Sequence, residues 1–268
     1  MKKDLCFIGI LAAVMLSWGC SDPCEDVSCA NGGVCVDGNC SCAEGWTGDD
    51  CTEPIETVAT GCGDVSAITF DGHSYDLVQI GSQCWFAENL RSDNYRNGDA
   101  IPGNLSNSSW QNTTSGAQAV YNNDAANVGT YGRLYNWYAT QDSRGLCPTG
   151  FHVPSDGEWM TLETSLGMTQ SEANEWAWRG TDQGTQMKSS PTDTPSWDGS
   201  NTSGFSGLPA GLRSYDGGFN LLGDGGDWWS SSPDWGSAFY RGLDSGSSDV
   251  LRNDRDPHYG FSVRCVRD

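Results

Sequence analysis

Residues 71–90 of this 268-residue chain read DGHSYDLVQIGSQCWFAENL. Asp71-Gly72 is a pair typical of tight turns, because glycine adopts backbone conformations that other residues avoid. The stretch from Tyr75 to Ile80 contains the aromatic and β-branched residues that strands favour. The segment therefore predicts a turn and a strand near the start of a folded domain.

A helix is predicted to begin at Ser155, within the stretch CPTGFHVPSDGEW of residues 147–159, and to stop at Gly167. Ser155 and Glu158 have the spacing of a capping box, in which each side chain binds the backbone N–H near the other. Trp159 and Leu162 then fall on one helical face. Further helices are expected at residues 132–140 and 171–178, and late strands at residues 228–232, 238–243 and 261–266.

Composition limits both the fold and the partners. The chain has 35 glycines and 12 tryptophans, and because glycine weakens long helices, we expect loops and short strands held by buried aromatic side chains. The formal net charge is −21. A surface this acidic repels phosphate backbones, so no nucleic-acid partner is expected.

The first residues have the pattern of a bacterial export signal. Met1-Lys2-Lys3 is basic, and residues 7–18 form an apolar run that is too short to span a bilayer. Gly19-Cys20 then resembles a lipobox. We therefore expect a lipoprotein signal peptide at residues 1–19, lipidation of Cys20 and anchoring in the bacterial outer membrane at the cell surface.

The twelve cysteines suit an oxidising compartment. Cys6 leaves with the signal and Cys20 takes lipid, so ten remain. Four are widely spaced, and pairing of neighbours gives Cys62–Cys84 and leaves Cys147–Cys265. The other six lie within 28 residues, where fifteen pairings are open: Cys24, Cys29, Cys35, Cys40, Cys42 and Cys51.

The six clustered cysteines have the spacing C-x4-C-x5-C-x4-C-x-C-x8-C, with Asn31-Gly32-Gly33 and Gly45-Trp46-Thr47-Gly48 between them. This pattern resembles an EGF-like domain, expected over residues 20–51 and followed by a linker at residues 52–61. The resemblance implies three disulfides: Cys24–Cys35, Cys29–Cys40 and Cys42–Cys51.

Five blocks of the remaining chain occur in the order of one family: residues 71–90, 132–139, 147–159, 228–232 and 260–267. Together they resemble the Fibrobacter succinogenes major paralogous domain family over residues 62–268. The resemblance implies a bacterial secreted or surface protein without an established activity. It also implies an α+β domain with the C-type-lectin-like fold of formylglycine-generating enzymes, with short strands, few helices and long loops.

Candidate binding residues lie in the Gly/Ser/Asp-rich second half. Trp228-Trp229 is expected in the core, whereas aromatic and arginine side chains nearby suit recognition of a sugar or protein; arginines that pair with aspartates are the alternative. The candidate ligand-binding residues are Trp235, Tyr240, Arg213 and Arg241. Calcium could be held by Asp216, Asp224 and Asp227, although Asp-Gly turns explain the same residues.

Catalysis is not expected. Every cysteine of the mature chain has a partner, and His73, His152 and His258 each stand alone in sequence. Glu88-Asn89 and the pair Asp156 and Glu158 suit turns or helix caps. We expect a non-enzymatic surface module for a glycan or an extracellular protein, without a cofactor unless calcium binds. The alternative is an envelope component without a discrete ligand; an enzyme is least favoured.

Overall fold

The computed structural model describes residues 24, 26–43, 46–47, 49–54 and 61–268. The predicted signal peptide and Cys20 lie outside the described residues. The chain divides into two compact units, Met1–Val58 and Ala59–Asp268. No helix in the described ranges is both long and apolar enough to cross a membrane.

The first unit is a pair of small hairpins held by disulfides. β1 (Val34–Val36) pairs with β2 (Asn39–Ser41), and β3 (Trp46–Thr47) pairs with β4 (Glu53–Pro54). The three disulfides implied by the EGF-like pattern are all present, with the predicted pairing. The predicted boundary at residue 51 is wrong, because β4 lies in the segment expected to be linker and completes the second hairpin.

The second unit contains fourteen described strands. In chain order they are β5 (Ala67–Phe70), β6 (His73–Ile80), β7 (Gln83–Phe86), β8 (Gln118–Ala119), β9 (Leu134–Asn136), β10 (Phe151–His152), β11 (Ala177–Arg179), β12 (Ala210–Arg213), β13 (Phe219–Leu222), β14 (Gly225–Asp234), β15 (Ser237–Asp244), β16 (Val250–Arg255), β17 (Gly260–Phe261) and β18 (Val266–Arg267).

These strands form two sheets. The smaller has the order β10-β18-β7-β6-β5, so the last strand of the chain lies between two early ones. The larger has the order β11-β16-β15-β14-β12-β17-β9-β8, with β13 paired to β12. Cys62–Cys84 and Cys147–Cys265 are both bonded as predicted. The second of these ties the C-terminal segment to the loop before β10.

Six short helices complete the unit: α1 (Asn107–Asn112), α2 (Val128–Tyr131), α3 (Trp137–Thr140), α4 (Asp156–Ser165), α5 (Gln170–Ala173) and α6 (Gln183–Met187). Two 3₁₀ turns lie at Tyr121–Asn123 and Ala125–Asn127. α4 confirms the capping box: Ser155 and Glu158 bind each other's backbone N–H. Over the described residues the protein is mostly β, with few helices and a disulfide-rich N-terminal module.

Two predicted helices are partly wrong. In residues 132–140, Leu134–Asn136 forms β9, which pairs with β8 and β17, and only Trp137–Thr140 is helical. In residues 171–178, the helix ends at Ala173, and Ala177–Arg179 is the edge strand β11 on β16. In both segments, pairing with distant strands overrides a weak local preference.

The core lies on both faces of β14. Trp228 and Trp229 are consecutive, so their side chains point to opposite faces, and both are fully buried. Trp228 joins a cluster with Trp159 and Phe205, whereas Trp229 packs against Phe261. Their predicted core position is confirmed.

Buried charges join α4 to the larger sheet. Arg241 Nε binds Glu163 at 2.6 Å, and its Nη1 binds Asp156 at 2.8 Å. Arg252 binds the other oxygen of Asp156 at 2.7 Å, and Arg179 binds Glu163 at 2.5 Å. Burial alone would raise the pKa of Asp156, but Arg252 and Arg241 outweigh it, and the pKa lies below its usual value.

Replacing one member of this network is expected to destabilise the protein strongly. Arg241→Met leaves two buried carboxylates without their shared cation, and the free energy of unfolding should fall by about 3–5 kcal/mol in urea titrations. Arg144→Met is the control, because Arg144 pairs with Asp142 at a partly exposed site and should cost about 1 kcal/mol or less. Equal losses would contradict the role of the network.

Candidate functional site

Three of the four predicted ligand-binding residues lie in the interior. Arg241 belongs to the buried network. It binds Asp156 and Glu163, so the alternative prediction, in which the arginine pairs with acidic residues of the protein, is confirmed. Tyr240 packs against Phe261 with ring centroids 4.9 Å apart. Arg213 is fully buried between Trp110 and Phe219, at 4.3 and 5.0 Å from their rings. These three assignments are wrong, because all three side chains are buried and packed against other parts of the domain.

Trp235 alone of the four is at the surface. It lies in the turn between β14 and β15, next to Gly236, and its side chain is fully exposed. Its backbone φ is +40°, and that of Gly236 is +100°. These values belong to a tight turn that projects the indole away from the sheet. Trp235 therefore remains a candidate contact residue.

A shallow site near the ends of β12 and β16 combines aromatic rings with charges. We call it the tyrosine shelf. It encloses about 400 Å³ and is lined by Tyr215, Asp254, Arg255, Asp256 and Tyr259. Tyr215 lies in the turn from β12 to β13, and Tyr259 in the turn before β17. Their ring centroids are 5.7 Å apart, and 48% of Tyr215 is exposed.

The charged groups of the shelf are only partly used within the protein. Arg255 is exposed, with its guanidinium 5.8 Å from the Tyr259 ring. Asp256 accepts hydrogen bonds from the backbone N–H and ring of His258. Within the described part of the chain, no donor binds the Asp254 carboxylate or the Tyr215 hydroxyl. These groups remain available to a ligand.

The shelf lies at the same end of the sheet as Trp235. Ala238 of β15 pairs with Arg255 of β16, and the β14–β15 turn lies just beyond that pair. Sequence analysis missed Tyr215 and Tyr259. For Tyr215 the sequence did contain a local signal. It precedes Asp216-Gly217, and an aromatic residue beside a tight turn has little opportunity for burial.

The three aspartates of the predicted calcium site do not form one. Asp216 lies in the turn before β13 and Asp224 in the turn after it, so a four-residue strand separates them. Asp227 is buried within β14. No group of three or more His, Cys, Asp or Glu side chains in the described residues could hold a metal. The joint assignment is therefore wrong.

Asp227 has an unusual environment. The described residues supply no hydrogen bond to its carboxylate. Burial, and secondarily the charge of Asp244, raise the pKa of Asp227 to about 8. It is thus a buried carboxyl group that is largely protonated at neutral pH.

Other residues considered for catalysis have structural contacts. His152 lies between Glu158 and Asp268, at 2.7 and 2.6 Å, and these partners, Glu158 first, raise its pKa to about 9. A histidine that is protonated at neutral pH is a poor general base. Asp156 is not merely a turn or cap residue, because its carboxylate binds two buried arginines.

Asn89 was also interpreted as a turn or cap residue, and that is wrong. Its Oδ1 accepts from Trp228 Nε1 and Arg264 Nε, each at 2.9 Å. Its Nδ2 donates to the Tyr131 carbonyl and the Ser262 hydroxyl. Asn89 is therefore a buried junction between the two core regions.

The raised pKa of Asp227 predicts how stability depends on pH. The unfolded carboxyl titrates near pH 4, so the folded state binds the extra proton between about pH 4 and pH 8, and stability falls as pH rises through that range. Asp227→Asn removes the free-energy cost of ionising this buried carboxyl group at higher pH. Its gain in Tm over the unaltered protein should therefore grow from pH 5 to pH 8.

Asp216→Asn is the control for this experiment, because Asp216 lies in an exposed turn, and its effect on Tm should be nearly constant with pH. A Tm difference for Asp227→Asn that does not change between pH 5 and pH 8 would show that Asp227 is already ionised in the folded protein.

The comparisons with known proteins concern the same two units. A model of the teneurin-like EGF domain matches residues 24–54, in agreement with the extent of the two hairpins. No curated protein and no solved structure matches the chain. The Fibrobacter succinogenes major domain model matches residues 78–267, which is well over half of the chain. The chain therefore belongs to the Fibrobacter succinogenes major domain family.

Proposed function

We propose that this protein is a non-enzymatic, lipid-anchored surface module whose larger unit binds a glycan at the tyrosine shelf. The observation that carries the proposal is the pair of tilted tyrosine rings, Tyr215 and Tyr259, beside charged groups that the protein leaves partly free. An aromatic surface with a few fixed polar groups is the usual composition of a site that binds a partly apolar, partly polar ligand.

The chemistry of a sugar fits this arrangement. The C–H face of a pyranose ring covers an aromatic ring, while its hydroxyls both donate and accept hydrogen bonds. Asp254 can accept from a hydroxyl, and the Arg255 guanidinium can donate to one. Trp235, beyond the Ala238–Arg255 pair, provides a further aromatic surface for a longer chain.

The C-type-lectin-like fold belongs to this proposal as well. Support comes from the position of the C-terminal strand β18, which pairs with the early strand β7. The disulfide Cys147–Cys265 closes a span of 118 residues. Together they close the C-terminal segment onto the early part of the domain, as the proposed fold requires.

The glycan proposal is tested on a glycan array with the purified full chain, with and without EDTA. We expect a hit whose affinity falls about five- to tenfold in Tyr215→Ala, because a stacking surface is worth about 1 kcal/mol. Trp178→Ala is a matched control, since Trp178 is also a partly exposed aromatic residue (40%), and should leave binding unchanged.

The alternatives predict different results. Loss of binding in EDTA would assign the contact to calcium rather than to direct contact with the shelf. Binding to a protein but to no glycan would show that the ligand is a protein and not a glycan. An array and whole cells without any signal would favour an envelope component that has no discrete ligand.

Lipid anchoring is tested separately through Cys20. Cys20→Ala should move the protein from the membrane fraction to the soluble fraction, because acyl chains supply the membrane affinity. Cell fractionation followed by immunoblotting measures the distribution. Ser21→Ala is the control, which keeps the cysteine and should keep the protein in the membrane fraction. An unchanged distribution of Cys20→Ala would contradict the lipoprotein assignment.

A further inference from the structure

A second concave site lies in the larger unit, and its lining residues are not those of the shelf. We call it the polar cleft. It has a volume of about 490 Å³. Its walls come from β6 and the segment after β7, from the end of α2, and from the loop between α6 and β12. None of the described residues that line it is aromatic.

Ser189 places an unsatisfied hydroxyl in the wall of the cleft. Only 1% of the residue is exposed. Its backbone is fully paired, because its N–H donates to Gly207 and its carbonyl accepts from Gly199. Its Oγ has no hydrogen-bond partner among the described residues. A buried hydroxyl without a partner is costly, and a ligand in the cleft could provide one.

Arg91 contributes a second unsatisfied group. Its Nη2 donates to Glu88 at 2.6 Å and to the Ser74 carbonyl, and these bonds hold the guanidinium in place. Its Nε is buried and has no partner within the described chain. Since Nε–H only donates, the missing partner must be an acceptor.

Carboxylates complete the lining. Asp193 Oδ2 accepts from the Ser190 N–H at 2.7 Å and from Asn201 at 3.0 Å, which fixes its position. Glu88 binds Arg91 through Oε2 only. Asp76 also lines the cleft. The lining therefore contains three carboxylates and one guanidinium, and the cleft has an excess of negative charge.

These groups restrict the chemistry of a ligand. A simple ammonium ion cannot satisfy the Arg91 donor, because it has no acceptor. An anion is repelled by the three carboxylates. A peptide strand has no edge to join at β6, which is paired with both β5 and β7. Hydroxyl groups, which donate and accept at once, satisfy both kinds of group.

We propose that the polar cleft binds one unit of a neutral saccharide, with ligand hydroxyls accepting from Ser189 and Arg91 and donating to Glu88 and Asp193. The site is independent of the tyrosine shelf. The described lining of the cleft offers hydrogen-bonding groups and no aromatic ring, whereas the shelf relies on aromatic surface.

The test is saturation-transfer NMR on the full chain with neutral and charged monosaccharide probes. The neutral probes are D-glucose, D-galactose, D-mannose and N-acetyl-D-glucosamine; the charged probes are D-glucosamine and D-glucuronate. We expect at least one neutral probe to bind with a millimolar Kd. Ser189→Ala should weaken it about tenfold, whereas Ser200→Ala, at an exposed position in the same loop, should not.

Two further variants separate the possible outcomes. Glu88→Gln, at a half-exposed side chain, should also weaken binding, and it replaces Ser189→Ala if that variant fails to fold. Tyr215→Ala should leave this signal unchanged, which distinguishes the cleft from the shelf. The proposal is overturned if no neutral probe binds, if neither cleft variant alters binding, or if a charged probe binds more tightly than its neutral counterpart.

Discussion

The interior of the larger unit depends on two carboxylates of α4. Asp156 and Glu163 neutralise arginines from β11, β15 and β16 in a largely buried region. Because a buried charge without a partner is strongly unfavourable, α4 can occupy only the position in which both carboxylates reach these strands. The capping box at Ser155 fixes where the helix begins, and so fixes the height of Asp156 above the sheet. A local motif thus sets a long-range contact.

A second buried junction positions the wall of the polar cleft. Asn89 binds Trp228 and Arg264, and the Arg264 guanidinium also donates to the carbonyls of Phe86, Phe205 and Ser206. Burial lowers the pKa of Arg264 to about 9. These bonds join the end of β7 and the segment after it to the loop before β12, and both segments line the cleft. The two segments are therefore fixed relative to each other by buried hydrogen bonds.

Features marked by a local motif or by a family pattern were predictable, and features that depend on packing between distant segments were not. The three disulfides of the first unit followed from the resemblance to an EGF-like domain, Cys62–Cys84 and Cys147–Cys265 from pairing of neighbours, and the α4 cap from Ser155 and Glu158. The burial of Arg241 was unpredictable, because its partner Glu163 lies 78 residues earlier. Arginine is usually exposed, so local reasoning placed it on the surface. The same reasoning missed the cleft, which is assembled from three distant segments.

The burial of many arginines also affects which ligands the surface can bind. The chain has 14 basic and 35 acidic residues, and Arg179, Arg213, Arg241, Arg252 and Arg264 are all buried. The surface is consequently more acidic than the composition suggests. An acidic field repels anionic ligands, and the unpaired Arg91 Nε–H in the cleft needs an acceptor, which a simple ammonium ion lacks. Neutral ligands rich in hydroxyl groups satisfy both conditions, which is why the same chemistry fits two sites of different shape.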